Sequence, residues 1–166
     1  MTALEPPDSY HFSAAEGWLV LGSYADALDE LQRISPTLQE HPDILLLRWH
    51  VHAKMKDWKA CAEVGHRLVA AAPDEISSWQ NYANSLFYEK RYREAFDALF
   101  PAIEKFPKEW SVPYNLACYE CQMGKLDEAM AWFKMALSFG NADEVKQQAL
   151  RDPDLGPVHD AIRDLP

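Results

Sequence analysis

The sequence predicts an all-α fold in which helical hairpins stack on one another. The chain of 166 residues repeats its pattern every 34 residues from Asp8 onward, and no gap is needed. Within each repeat, apolar and small residues fall at the three- and four-residue intervals of a buried helix face. Apolar residues make up 48% of the chain and charged residues 25%, which is ordinary for a folded domain.

Turn residues give the repeat its phase. The predicted turns lie at Gly22, Lys56, Lys90 and Gly124, which stand 34 residues apart. Two residues further on come the large side chains of Tyr24, Trp58, Tyr92 and Leu126, and three beyond those come the small residues Ala27, Cys61, Ala95 and Ala129. A turn in the middle of each repeat predicts two antiparallel helices, called helix A and helix B below.

The third repeat shows the helical spacing most clearly. Its helix A carries Trp79, Tyr82, Ala83 and Leu86, and its helix B carries Tyr92, Ala95, Phe96, Leu99 and Ala102. Small side chains at Ala83 and Ala95 allow two helix axes to approach to about 8–10 Å. One hairpin cannot bury its own apolar stripe, so neighbouring hairpins must stack on it.

This pattern resembles the tetratricopeptide repeat. The third repeat carries the signature residues Trp79, Ala83, Ala95, Ala102 and Pro107, and the fourth carries Leu116, Ala117, Gly124, Ala129, Phe133 and Ala136. The second repeat departs from the signature, since Trp49 takes a normally small place and Gly65 a large one. The first lacks the closing proline at Gln39. The resemblance implies a right-handed α-solenoid of four repeats with a C-terminal capping helix.

The repeat divides the chain into six segments. A flexible arm is expected at residues 1–7, the four repeats at 8–41, 42–75, 76–109 and 110–143, and a solvating cap at 144–166. The segment Leu155–Asp164 is expected to fold back on the array. Pro101 falls inside helix B of the third repeat, where it removes a backbone donor, so a bend near Asp97–Phe100 is predicted.

The resemblance also implies a ligand surface. In this family helix A lines a concave groove, and its second, fifth, sixth, ninth, twelfth and thirteenth places face the groove. These places hold His50, Gln80, Asn81, Asn84, Phe87, Tyr88, Tyr114, Asn115 and Cys118. Asparagine amides can pair with the backbone of an extended peptide. We therefore expect a peptide groove centred on the third and fourth repeats, with a merely solvated polar face as the alternative.

One family function is excluded by the residues at those places. Clamps that hold the carboxylate-ended tails of heat-shock chaperones use lysine and arginine. Counted from the first repeat, the clamp places hold Phe12, Glu16, Leu47, Ser77 and Asn81, and counted from the second they hold Leu46, His50, Asn81, Ser111 and Asn115. Neither set contains the cations that bind a carboxylate.

Charge restricts the partners. Twenty-six acidic residues against 16 basic ones leave a formal charge of −10, which disfavours a nucleic-acid binder. The basic residues of the middle of the chain gather near the predicted turns, at Lys54, Lys56, Lys59, Lys90, Arg91 and Arg93. They form either a basic edge for an acidic partner or a solvated edge.

No catalytic or metal-binding pattern stands out. Cys118 and Cys121 form a CxxC pair in the middle of a predicted helix, but a zinc site needs two such pairs or added histidines. Whether this pair has a redox or metal role stays open. Neither a phosphate-binding loop nor a protease motif occurs in the sequence, so no cofactor and no metal are expected.

The sequence thus favours a cytoplasmic, non-catalytic adaptor or scaffold that binds a partner protein or peptide, as a monomer or weak homo-oligomer. Three cysteines suit a reducing compartment, and neither a signal peptide nor a membrane span is expected. Two alternatives stay open: a secretion-type repeat chaperone and a self-associating structural protein. Catalysis is a third alternative. It would be supported by an enzymatic turnover that the substitution Cys118→Ser abolishes.

Overall fold

A computed structural model describes residues 4–165, which form helices and connecting turns and contain no strand. They form two compact units, one ending at Ser85 and the other beginning at Leu86. The α-helices are α1 Asp8–Val20, α2 Tyr24–Arg33, α3 Pro42–Lys54, α4 Trp58–Ala71, α5 Ile76–Tyr88, α6 Tyr92–Leu99, α7 Ala102–Lys105, α8 Ser111–Gln122, α9 Leu126–Phe139, α10 Ala142–Ala149 and α11 His159–Arg163. Short 3-10 helices span Pro36–Leu38 and Pro153–Val158.

The first unit contains two helical hairpins, α1 with α2 and α3 with α4, and most of α5. Its main apolar cluster joins Ala15, Ala27, Leu31, Ile34, Ile44, Leu47 and Val51. Residues 1–3 of the predicted N-terminal arm lie outside the described residues, whereas Leu4 packs against this cluster. Because the cluster draws on α1, α2 and α3, the second hairpin buries what the first cannot bury alone.

The four predicted turn residues all adopt the left-handed backbone conformation. Their φ angles are 77° at Gly22, 57° at Lys56, 61° at Lys90 and 76° at Gly124. After each of them the next residue donates its N–H to a carbonyl five residues earlier, as in the bond from Lys125 to Glu120 at 3.0 Å. The predicted phase of the repeat is therefore confirmed at every turn.

Gln39, at the place of the missing proline in the first repeat, makes hydrogen bonds to the backbone through its side chain. Its side-chain amide donates to the carbonyls of Leu31 (2.9 Å) and Ile34 (2.7 Å), near the end of α2. Helix ends leave such carbonyls without an internal partner, so the amide satisfies them. The departure from the family signature is thus compensated locally.

Trp49 and Gly65, the two residues of the second repeat that depart from the signature, each fit their surroundings in the structure. Trp49 packs against the cluster of Leu45, Val64 and Leu68, and its indole N–H donates to Ser85 Oγ at 2.9 Å. Gly65 lies where α4 approaches α5 so closely that an added Cβ would stand 2.8 Å from the Cα of Tyr82. No larger residue fits there without a backbone shift.

The second unit is built around the hairpin of α8 and α9, against which α6 and the segment after α9 pack. Helix B of the third repeat is interrupted, since α6 ends at Leu99 and α7 begins at Ala102. The interruption lies at Phe100 and Pro101, which both keep helical backbone angles, and it coincides with the backbone donor that Pro101 lacks. The largest fully buried side chains of this unit belong to Leu86, Leu99, Leu116, Tyr119, Phe133, Leu155 and Ile162.

We predict that Gly124→Ala lowers the free energy of unfolding by about 1 kcal/mol, because a side chain disfavours positive φ. Nothing lies within 4 Å of the added Cβ, so the cost is conformational. The matched control is Gly17→Ala, at an exposed place inside α1 that is equally uncrowded. It should raise stability by about 0.5–1 kcal/mol. Urea unfolding measures both, and equal effects would contradict the turn assignment.

Candidate functional site

An open groove of about 350 Å³ runs between the helices A of the first and second repeats, α1 and α3. Its lining consists of Phe12, Glu16, Asp43, Leu46, Leu47 and His50. Counted within their repeats, these residues occupy the second, fifth, sixth and ninth places, which the resemblance assigns to the ligand-facing side. The structure thus gathers residues from two repeats around one depression.

A second depression of about 250 Å³ continues from the first at the start of α3. It shares Asp43 and Leu46 with the groove and is lined further by Pro42, Leu68, Ala72, Glu75, Ser77 and Ser78. Both depressions combine apolar and carboxylate side chains. Neither is lined by lysine or arginine.

His50 is the only residue of the expected peptide groove that lines these depressions in the described part of the chain. Its ring meets the ring of Trp49 edge to face, with centroids 5.5 Å apart. Partial burial lowers the pKa of its imidazole, and the charge of Lys54 lowers it further. At neutral pH the ring is therefore largely uncharged, and can donate from one nitrogen and accept at the other.

The polar residues expected on helix A of the third repeat lie on α5 in the first unit. Gln80, Asn81 and Asn84 are all half-buried. The backbone carbonyl of Asn81 accepts a hydrogen bond from Ser85 Oγ at 2.6 Å, while its side-chain amide has no hydrogen bond to the described residues. Asn81 thus retains the donors and the acceptor that a peptide backbone would use.

Phe87 and Tyr88, at the start of the second unit, differ from each other. The Phe87 ring packs against the rings of Tyr92 and Tyr119, at centroid distances of 5.3 and 5.2 Å. Tyr88 is 56% exposed. Phe87 therefore contributes to packing, and Tyr88 presents its ring to solvent.

The expectation of an open groove along helix A of the fourth repeat needs correction. Tyr114 and Cys118 on α8 are only 4% and 5% exposed. The Tyr114 hydroxyl donates to Asp152 Oδ2 at 2.8 Å, and the Cys118 thiol lies 3.9 Å from the same oxygen. Asn115, also on α8, is half-buried. The segment after α10 covers Tyr114 and Cys118, so they are closed to a partner.

The covering segment is held by polar and apolar contacts. Gln122 Nε2 donates to the carbonyl of Asp154 at 3.1 Å, and His159 Nε2 lies 3.0 Å from the carbonyl of Asp152. Leu155 and Val158 of this segment are themselves buried. Burial, together with the charge of Asp152, raises the pKa of the Asp154 carboxyl. Of the segment 155–164 expected to fold back, the part up to Val158 packs on α8 and α9, whereas α11 packs on α10 and on the 3-10 helix Pro153–Val158.

All three cysteines are free and buried. Burial raises the pKa of the Cys121 thiol to about 11 and that of the Cys61 thiol to about 12, and it holds the pKa of Cys118 well above its usual value. The thiolate is the reactive form, so these thiols are poor nucleophiles at neutral pH. Within residues 4–165 no group of three or more His, Cys, Asp or Glu residues is placed to hold a metal ion.

The expected basic edge is divided between the two units. In the second unit Arg91 pairs with Glu94 at 2.7 Å and Arg93 with Asp97 at 3.0 Å, which offsets both charges. The remaining members, Lys54, Lys56, Lys59 and Lys90, are exposed and make no ion pair with the described residues.

Among the described residues, no helix has the length and apolar character needed to cross a bilayer.

Sequence reasoning missed most of the groove between α1 and α3. From the sequence, four of its lining residues served only as evidence against a clamp of lysine and arginine: Phe12, Glu16, Leu46 and Leu47. The signal was present, since they occupy the same places as His50 in the repeat. The equivalent asparagines Asn81 and Asn115 favoured the third and fourth repeats instead.

We predict that Tyr114→Phe lowers the free energy of unfolding by about 1.5 kcal/mol, because it removes a hydrogen bond between a buried tyrosine and a carboxylate. The control is Tyr10→Phe, since Tyr10 is 70% exposed, and its effect should stay within about 0.5 kcal/mol. Urea unfolding followed by tryptophan fluorescence measures both. Equal stability of the two variants would contradict the described contact.

Comparison with known proteins identifies the fold. No family model matches the sequence, and no curated protein matches it. Among solved structures, residues 41 to the end of MamA from Desulfovibrio magneticus RS-1 are 16% identical, with a TM-score of 0.73 over 98% of this chain and 92% of that chain. YrrB, a TPR protein with an unusual peptide-binding site, is 14% identical, with a TM-score of 0.72 over 88% of this chain and 75% of that chain. The chain therefore has the all-α tetratricopeptide-repeat fold.

Proposed function

We propose that the protein is a non-catalytic interaction module that binds a segment of a partner protein on the helix-A side of its first repeats. The observation that carries the proposal is the groove between α1 and α3, whose whole lining comes from the second, fifth, sixth and ninth places of two repeats. The shared fold adds support, because YrrB has a peptide-binding site.

The expected groove residues differ in whether their side chains are accessible to a ligand. His50 and Asn81 have side chains available to a ligand, and the half-buried Gln80 and Asn84 lie on the same helix as Asn81. Tyr114 and Cys118 are covered by the chain itself. The proposed ligand therefore binds the first unit, rather than the surface of α8.

The proposal includes a cytoplasmic location and no cofactor. Three free, buried cysteines support it, because a protein of a reducing compartment has no need to pair its thiols. Their raised pKa values also count against thiol catalysis.

Site-specific crosslinking tests the proposed groove. A displayed library of random short peptides is selected against the full chain, and a photoreactive amino acid is then placed at position 50 or at position 63. His50 lines the groove, whereas Glu63 is an exposed residue of α4 that lines neither depression. We expect the selected peptides to crosslink from position 50 and not from position 63. Recovery of no peptide, or equal crosslinking from both positions, would contradict the proposal.

Self-association is a second possible function, and one observation favours it. At the C-terminal end of α1, Val20 is 86% exposed and Leu21 is 74% exposed. Adjacent exposed apolar side chains are typical of contact surfaces. A second copy of the chain is one partner that would cover them.

Sedimentation velocity tests this function. We expect the sedimentation coefficient to rise with protein concentration and the rise to disappear in the double variant Val20→Ser, Leu21→Ser. The control is Met55→Ser, which removes another exposed apolar side chain in the same unit. A single monomeric species at all concentrations would exclude the function.

A further inference from the structure

We infer that the groove between α1 and α3 binds a partner segment that places a lysine or arginine beside an apolar side chain. The inference rests on the proposed function and names the chemistry of its ligand. It draws on two properties of the lining: an apolar floor, and carboxylates whose negative charge no lysine or arginine of the lining neutralises.

The apolar part of the groove comes from Phe12, Leu46 and Leu47. Leu47 is buried in the cluster of the first hairpins, while Phe12 and Leu46 are half-buried and keep part of their surface exposed. A ligand side chain in contact with them removes apolar area from water, which favours binding in proportion to that area. This floor favours an apolar anchor in the bound segment.

The polar part of the groove is acidic. Glu16 and Asp43 line the groove, and Glu75 lines the depression that continues from it. Glu16 and Glu75 are exposed, and neither side chain makes a hydrogen bond or ion pair with another of residues 4–165. The Asp43 carboxylate lies 3.7 Å from the His41 ring, which carries a positive charge only when protonated.

No cation in the lining offsets these carboxylates. His50 is the one titratable base there, and the lowered pKa of its imidazole keeps it largely neutral at pH 7. Lys54 follows one helical turn later and lines neither depression. A ligand cation would therefore meet uncompensated negative charge beside apolar surface.

The acidic surplus of the N-terminal part of the chain also favours a cationic ligand. Residues 1–42, which include α1, hold seven acidic residues and one basic residue. A surplus of one sign around a groove raises the rate at which ligands of opposite charge arrive. A cationic segment is thus favoured both on approach and when bound.

The test uses the crosslinking peptides from the selection described above. We expect them to be rich in lysine and arginine next to leucine or an aromatic residue. The strongest binder should bind the double variant Glu16→Gln, Glu75→Gln about tenfold more weakly, because the change removes both exposed carboxylates that attract the ligand cation. Fluorescence anisotropy of the labelled peptide measures the affinity.

A matched double variant separates the groove from net charge. Asp29→Asn, Glu63→Gln removes the same charge from exposed residues of α2 and α4 that line neither depression. We expect its affinity to stay within about twofold of the parent chain. The difference between the two double variants should shrink as salt rises from about 50 mM to about 500 mM.

The outcomes separate the inference from the function on which it rests. Crosslinking from position 50 by acidic or uncharged peptides would overturn the inference and leave the proposed function standing. Equal weakening by both double variants would also overturn it. Failure of all selected peptides to crosslink from position 50 would overturn both.

Discussion

The phase of the repeat is set by one backbone constraint, the left-handed residue that ends each helix A. At Gly22, Lys56, Lys90 and Gly124 the chain reverses in the same way, and the next helix begins two residues later. Because this geometry recurs at a constant interval, residues at equal places of successive repeats lie at equal positions along their helices. The alanines that pack between helices and the residues that line the groove both follow from it.

The sequence was sufficient to predict features that recur or that depend on a single residue. The hairpins and their turns follow the period, and the break before Pro101 follows from a missing backbone donor. The covering of Tyr114 and Cys118 could not be predicted in the same way. It depends on a hydrogen bond between residues 38 apart and on the path of a segment outside the period. Resemblance to open arrays therefore gave the wrong surroundings for α8.

Departures from the family signature are compensated by their neighbours. The Gln39 amide, at the place of the usual proline, donates to two carbonyls near the end of α2. The Trp49 indole bonds to Ser85, and Gly65 allows α4 to approach Tyr82. Each exchange is stabilised by contacts a few ångströms away. A degenerate repeat of this kind keeps the fold while changing the surface that it presents.

The closure of the α8 surface by Asp152 and Leu155 limits where the array can be extended. In a repeat array each hairpin contacts its neighbours, so an additional hairpin needs an uncovered surface on which to stack. Here the residues after α10 already cover the hairpin of α8 and α9, through the hydrogen bond of the Tyr114 hydroxyl and the buried side chain of Leu155. An added hairpin would therefore stack on α8 only in a variant whose covering segment is displaced or removed.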